Sequence, residues 1–168
     1  MFGTIDHVTG AARVRIRRFY LKAKNKPDIS FLDSNLGVGG ATNIEFLAKK
    51  NIQSILDLRD EAEDDPNELK KHNINYLRVK ISDRSIPTLS NAKEGVDWIT
   101  SNIKQKKKVF IHCNLGRGRG PLFAILYLIY QGKDKDEAIK YVKKIRRDAF
   151  LNKKQLKLIN EFQNSISS

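Results

Sequence analysis

Cys113 and Arg119 stand with five residues between them in the segment 109–121, VFIHCNLGRGRGP. The apolar run VFIHC reads as a buried strand, NLGRGRG as a glycine-rich turn, and the residues from Pro121 onward as an apolar helix. At such a strand-to-helix turn, backbone amides converge and the helix dipole favours negative charge, so the turn is a cradle for phosphate. Amides and guanidinium groups around a thiol favour the thiolate, which is the nucleophilic form. Arg119 offers a planar fork that two phosphoryl oxygens can share, and Arg117 adds a second charge to the cradle. The plainer alternative makes Cys113 an ordinary buried cysteine and RGRG a solvated turn. Two other glycine-loop chemistries fail here. A nucleotide-binding Walker loop needs Gly-Lys-Ser/Thr, and a dinucleotide fingerprint begun at Gly116 or Gly118 would need glycine where Pro121 or Phe123 stands.

The elements that must position this loop alternate along the chain. FLDSNLGVGG predicts turns around short strands, and a helix follows Thr42 with Phe46 and Leu47. IQSILDL is a clear strand, DEAEDDPNEL a solvated loop opening a helix, and INYLRVKI a further strand. Residues 90–105 carry Ala92, Val96, Ile99 and Ile103 on one helical face. PLFAILYLIY is a helix stopped by Gly132, and DKDEAIKYVKKIRR and NKKQLKLINEFQ give two more. Strands alternating with helices predict a single α/β domain whose central mixed, mostly parallel sheet is covered on both faces.

The 168 residues fit one domain, and 40% apolar residues supply a core. With 32 Lys and Arg against 19 Asp and Glu, the net charge of +13 creates a field that attracts anionic partners. One cysteine excludes an internal disulfide framework and a cysteine-rich zinc module, and His7, His72 and His112 lack metal-ligand spacing. No cofactor or metal is expected, and His7 and His72 are expected at the surface. The absence of a long apolar stretch and of an export-type start in MFGTIDHVTG makes a cytoplasmic setting the expectation. Residues 1–27 form a basic N-terminal arm ahead of a domain over 28–168. In the arm Val14 and Ile16 alternate with Arg13, Arg15 and Arg17 as in a strand, while Ile5, Val8, Ala12 and Ile16 fit a helical face. With Phe19 and Tyr20, the arm is a candidate contact for anionic lipid or nucleic acid, or simply a solvated edge element.

HCNLGRGRG resembles the His-Cys-x5-Arg signature of the cysteine-dependent protein tyrosine phosphatases, in a setting similar to their compact dual-specificity branch. LDLRDE, ISDRSIPT and DEAIKYVKKIRR extend the resemblance over residues 28–162. It implies a metal-independent phosphatase acting on phosphotyrosine, and on phosphoserine or phosphothreonine, in a phosphorylated protein or peptide. Cys113 would form a cysteinyl-phosphate. The loop residues Asn114, Leu115, Gly116, Arg117, Gly118 and Arg119 would bind the substrate phosphate, supported by His112 and Gly120. Asp83, thirty residues before Cys113, matches the family's general acid. The alternative is that Asp83 merely begins a turn; Asp33, Asp57 and Asp60 are weaker rivals, and Asp57 with Arg59 reads as a structural pair.

Gly120 departs from the Ser or Thr usual after the arginine, which bears on turnover of the phosphoenzyme. No Lys-Asn-Arg-Tyr recognition loop is present, which implies a shallow site. A phosphoinositide or phospholipid headgroup, a phosphatidylglycerophosphate, an RNA 5′-triphosphate, or a phosphate-binding pseudophosphatase role therefore stays open. Some lipid-directed relatives have a basic residue where this chain has Arg117, but they often have one directly after the cysteine as well, where this chain has Asn114.

Overall fold

The computed structural model describes residues 2–24 and 26–166; the side chains of Ile5, His7 and Val8 lie outside the described residues. The chain runs α1 (Phe2–Ala23), β1 (Ile29–Phe31), β2 (Leu36–Gly40), α2 (Ile44–Lys49), β3 (Ser54–Arg59), α3 (Pro66–Lys71), β4 (Asn75–Ile81) and α4 (Leu89–Lys104). It continues with β5 (Val109–Cys113), α5 (Arg119–Tyr130), α6 (Lys135–Ile145) and α7 (Lys153–Ile166). The expected mixed sheet is present, in the order β1-β2-β5-β3-β4, with β1 antiparallel to β2 and the other neighbours parallel.

Side-chain alternation decides what each face of the sheet holds. On β5, Val109, Ile111 and Cys113 join the main core with α4, α5 and α7, while Phe110 joins Ile44, Leu47, Ile55, Leu69 and Ile74 under α2 and α3. PLFAILYLIY is apolar on nearly every side because α5 is enclosed: Leu122, Phe123, Ala124, Ile125 and Leu126 are fully buried. Each of the larger ones contributes about 1.5 to 3 kcal/mol of burial energy. Helix starts follow local rules. Asn43, Asp65, Thr88 and Asp134 cap α2, α3, α4 and α6 by accepting from the exposed amides of the first turn.

Because β2, β5, β3 and β4 are mutually parallel, their carboxyl ends share one edge, and the loops leaving them meet there. The strand-or-helix ambiguity of the basic N-terminal segment resolves as helix α1, whose Val14 is fully buried. Ala12 and Ile16, on the face its apolar spacing picks out, are exposed instead. His72 is half-buried beside Glu68, 3.5 Å away.

Candidate functional site

Cys113 ends β5, paired in register with Gly40 of β2, and is 3% exposed. The carbonyls of the next residues are all held from outside the loop. Asn114 O accepts from Ala41 N (3.0 Å) and Arg18 Nη1 (3.0 Å), and Leu115 O from Arg146 Nη2 (3.2 Å). Gly116 O accepts from Arg146 Nε (2.8 Å), Arg117 O from Phe150 N (2.8 Å) and Gly118 O from Leu122 N (2.9 Å). In a trans peptide the N–H points opposite to the preceding C=O, so tethering these carbonyls outward turns the amides of Leu115, Gly116, Arg117, Gly118 and Arg119 inward. The amides of Leu115, Gly116, Gly118 and Arg119 donate to no carbonyl among the described residues. Backbone donors grouped at the start of a helix such as α5 are an arrangement that favours negative charge.

Gly116 is required here twice over. Its φ is +64°, and a Cβ would lie 2.3 Å from both Gly39 C and Arg146 Nη2. Arg146 is itself fully buried and pairs with Asp28 through Nη1 at 2.9 Å and Nη2 at 3.1 Å. Burial pushes the Asp28 carboxyl up, but Arg146 and Arg17 outweigh it and hold it below its ordinary value.

Arg119, the first residue of α5, donates from Nη1 to Ile81 O (2.7 Å), Leu58 O (3.3 Å) and Glu61 Oε2 (2.8 Å), and from Nη2 to Glu61 Oε1 (2.7 Å). All these bonds leave from the two Nη atoms. The Nε side of the fork accordingly stays available to bridge two oxygens of a bound anion. Burial opposes the guanidinium charge, but Glu61, Cys113 and Asp83 hold Arg119 above its ordinary pKa. The same bond from Arg119 brings Glu61 down to about 2.

Asp83 lies in the loop between β4 and α4, its side chain 74% exposed and its Oδ1 3.7 Å from Arg119 Nη2. The fold thus brings Asp83, Arg119 and Cys113 to one edge of the sheet. The Asp83 loop is also tied to α7: Asn152 Nδ2 donates to Arg84 O (3.2 Å). Asn152 and the buried Gln155 form a reciprocal cap, with Asn152 N donating to Gln155 Oε1 (3.0 Å) and Gln155 N to Asn152 Oδ1 (2.9 Å).

Behind the loop, His112 faces away from the main core, stacked on Phe110, with Nε2 2.9 Å from Asp64 Oδ2. Asp57 and Arg59 are a two-point pair (2.8 and 2.7 Å), Arg59 Nη2 also reaches Asp64 Oδ1 (2.7 Å), and Tyr76 Oη donates to Asp57 Oδ2 (2.8 Å). Burial raises the Asp57 carboxyl, yet Arg59 leads the contacts that bring it below its ordinary value. Asp57, Asp64 and His112 are a cluster with metal-ligand atom types within 4.8 Å of one another. Arg59 already supplies the positive charge between its two carboxylates, so the donor set is filled by protein.

Arg117 turns away from the loop interior. Its Nε donates to Asp148 O (3.2 Å), its guanidinium lies 5.9 Å from the Phe150 ring centre, and it packs against Gly10 of α1. Gly120 leaves little room, since a Cβ there would be 3.2 Å from Val38 Cγ2. Sequence reasoning missed Glu61, Arg146, Asp28 and the Asn152–Gln155 cap. The spacing N-x-x-Q carries a signal for the cap; the others are charged residues far in sequence from their partners.

A strand, an amide-lined turn and a helix together hold Cys113 and Arg119 at one edge of the sheet. Residues 36–165 match the family described as dual specificity phosphatase, catalytic domain, and the chain belongs to that family. Among curated relatives, it is 27% identical over 131 residues to human phosphatidylglycerophosphatase and protein-tyrosine phosphatase 1, covering 74% of this chain and 65% of that protein. It is 28% identical over 95 residues to the Arabidopsis thaliana phosphatidylglycerophosphate phosphatase PTPMT1, covering 55% of this chain and 28% of that protein. The chain therefore spans less than two thirds of the length of either relative. Its fold is similar to the crystal structure of PTPMT1 in complex with PI(5)P (TM-score 0.78, 24% identity, 84% of this chain and 97% of that one). It is similar as well to Tk-PTP in its active form (TM-score 0.76, 24% identity, 82% and 97%).

Proposed function

We propose that this member of the cysteine-dependent phosphatases hydrolyses phosphate monoesters, phosphotyrosine among them, through a cysteinyl-phosphate. The observation that carries the reading is the outward tethering of every carbonyl from Asn114 to Gly118, which turns the intervening amides toward the inside of the loop that follows Cys113. A phosphoryl group seated there receives amide bonds on its equatorial oxygens, with the Nε side of Arg119 completing the set. The Cys113 thiolate attacks phosphorus in line, the bond to the ester oxygen breaks, and the Asp83 carboxylic acid gives that oxygen its proton. Water then attacks phosphorus, the Asp83 carboxylate takes its proton, and the thiolate leaves with the S–P electron pair.

A second substrate reading is a phospholipid headgroup monoester. It is favoured by the human relative, named as both a phosphatidylglycerophosphatase and a protein-tyrosine phosphatase, whose match covers 74% of this chain.

Cys113→Ser tests the chemistry. The variant should bind inorganic phosphate or vanadate, because the cradle is largely backbone, yet turn over neither phosphotyrosine peptide nor phosphatidylglycerophosphate. Full activity in that variant, or activity that a chelator removes, would sink the thiolate mechanism. The wild-type ratio of rates on the two substrates decides between the substrate classes.

A further inference from the structure

Among its described side chains, from Gly10 to Ala23, helix α1 has two apolar sides, and the domain covers one of them. Gly10, Val14 and Leu21 face the domain, where Arg17 pairs with Asp28 and Asp148 (both 2.8 Å) and Arg18 binds Asn114 O and Ala41 O. On the opposite side Ala12, Ile16, Phe19 and Ala23 recur at spacings of four, three and four, which in a helix is one continuous stripe. Phe19, Ile16 and Tyr20 are 77%, 70% and 58% exposed, the most exposed large hydrophobic side chains among the described residues. Arg15 borders the stripe on one side, and Arg13 and Lys24 border it on the other, all exposed.

We infer that this outer face of α1 is a docking surface for an anionic lipid bilayer. An apolar stripe between two rows of cations is the pattern of a helix lying in the interface, with the stripe in the acyl boundary and the cations at lipid phosphates. Residues 10–24 contain six Lys and Arg and no carboxylate, so a second copy of this helix would set cation against cation. Phe19 and Tyr20 are the stripe's two stacking surfaces for a base, whereas Ala12, Ile16 and Ala23 on the same side offer bases nothing and suit acyl chains, which favours a bilayer over a nucleic acid. No described helix is long and apolar enough to cross a membrane, so the contact is peripheral.

The same chemistry continues onto the domain. Phe19 lines a cavity of about 560 Å³ with Leu21 and Phe46 as apolar wall, Arg18 and Lys26 as cations, and Asp28 as a carboxylate already paired with Arg17 and Arg146. Because the inner side of α1 touches Asn114 through Arg18, docking would hold the phosphate loop about one helix diameter, roughly 10 to 12 Å, from the bilayer. This surface is independent of which phosphate ester the site hydrolyses.

Co-sedimentation of the full chain with vesicles tests it. Phosphatidylserine is used as the anionic lipid because it carries no phosphomonoester for the catalytic loop. The wild type should pellet with phosphatidylcholine–phosphatidylserine vesicles, less so at high salt, and not with phosphatidylcholine alone. Ile16→Glu/Phe19→Glu should lower the partition coefficient at least about tenfold while turnover of a small soluble phosphate ester is retained. Arg13→Gln/Arg15→Gln should lower it about fivefold per cation, and serves as the deciding variant if the first loses its fold. Wild-type protein that ignores anionic vesicles, or both variants pelleting like wild type, would overturn the proposal. So would retention of single-stranded RNA, or a dimer abolished by the same substitutions, in the absence of vesicle binding.

Discussion

Arg119 and Glu61, 58 residues apart, meet end to end: Nη1 lies 2.8 Å from Oε2 and Nη2 2.7 Å from Oε1. The pair occupies the Nη1–Nη2 edge of the guanidinium and leaves the Nε side out of the contact. Under the proposed function, Glu61 would act on the substrate phosphate through Arg119.

Removing that brace should weaken phosphate capture. Glu61→Ala costs a charge-assisted pair worth about 1.5 to 3 kcal/mol, which corresponds to roughly a tenfold to hundredfold fall in kcat/KM. Cys113 alkylation by neutral iodoacetamide, a readout of access to the thiol, should change far less than steady-state turnover. Equal loss of both would make Glu61 a general stabiliser of the fold.

Acid should destabilise the protein through the same carboxylates. Glu61, Asp28 and Asp57 all have folded pKa values below their ordinary ones, so the stability they add is present above the ordinary carboxylate range. It is lost as pH falls, for Glu61 between its ordinary 4.5 and about 2. Thermal melts across that window should fall more steeply for wild type than for Glu61→Gln.

Asp83 sits 3.7 Å from Arg119 on an exposed loop. If it is the general acid, Asp83→Asn should slow tyrosyl and alkyl phosphates by about 10² to 10⁴, and substrates with weakly basic leaving groups much less. A uniform loss across leaving groups would move the acid role elsewhere.

Arg146 separates folding from catalysis. Arg146→Leu leaves Asp28 buried with Arg17 as its ion-pair partner and Arg18 as a more distant charge, an expected loss of about 3 to 5 kcal/mol. Asp28→Leu/Arg146→Leu should recover part of that stability in urea titrations. Activity should stay low in both, because Leu115 O and Gly116 O have lost their donor.

Gly120 should show itself in the kinetics. Without a hydroxyl after the arginine, the departing thiolate lacks a donor worth on the order of 1 to 3 kcal/mol, or about tenfold to a hundredfold in rate. Rapid mixing with an aryl phosphate should give a phenol burst near one per site, then a slower steady state. A serine Cβ would lie 3.2 Å from Val38 Cγ2, so Gly120→Ser fits after a shift of a few tenths of an ångström. That variant should raise the steady rate and shrink the burst; no burst and no gain would place the slow step before phosphoenzyme hydrolysis.

What the sequence determined by itself is what short-range physics encodes. VFIHC, NLGRGRG and PLFAILYLIY declare a buried strand, an amide-rich turn and an enclosed helix because alternation, glycine and all-round apolarity each act within a few residues. The alternation of elements likewise gave the mixed sheet. Tertiary structure decided how the charges divide. Arg117 and Arg119 look equivalent in RGRG, yet Arg119 is braced by Glu61 and Arg117 is drawn to Asp148 and Phe150. The segment holding α1 carried both periodicities, and its outcome followed from Gly10, Val14, Arg17, Arg18 and Leu21 falling on one helical side against the phosphate loop. Asp28 and Arg146, 118 residues apart, meet because β2 lies beside β5 and brings Gly40 opposite Cys113. Burial makes such a pairing strong, but its partners are set by which strands become neighbours, and that depends on closing the whole sheet.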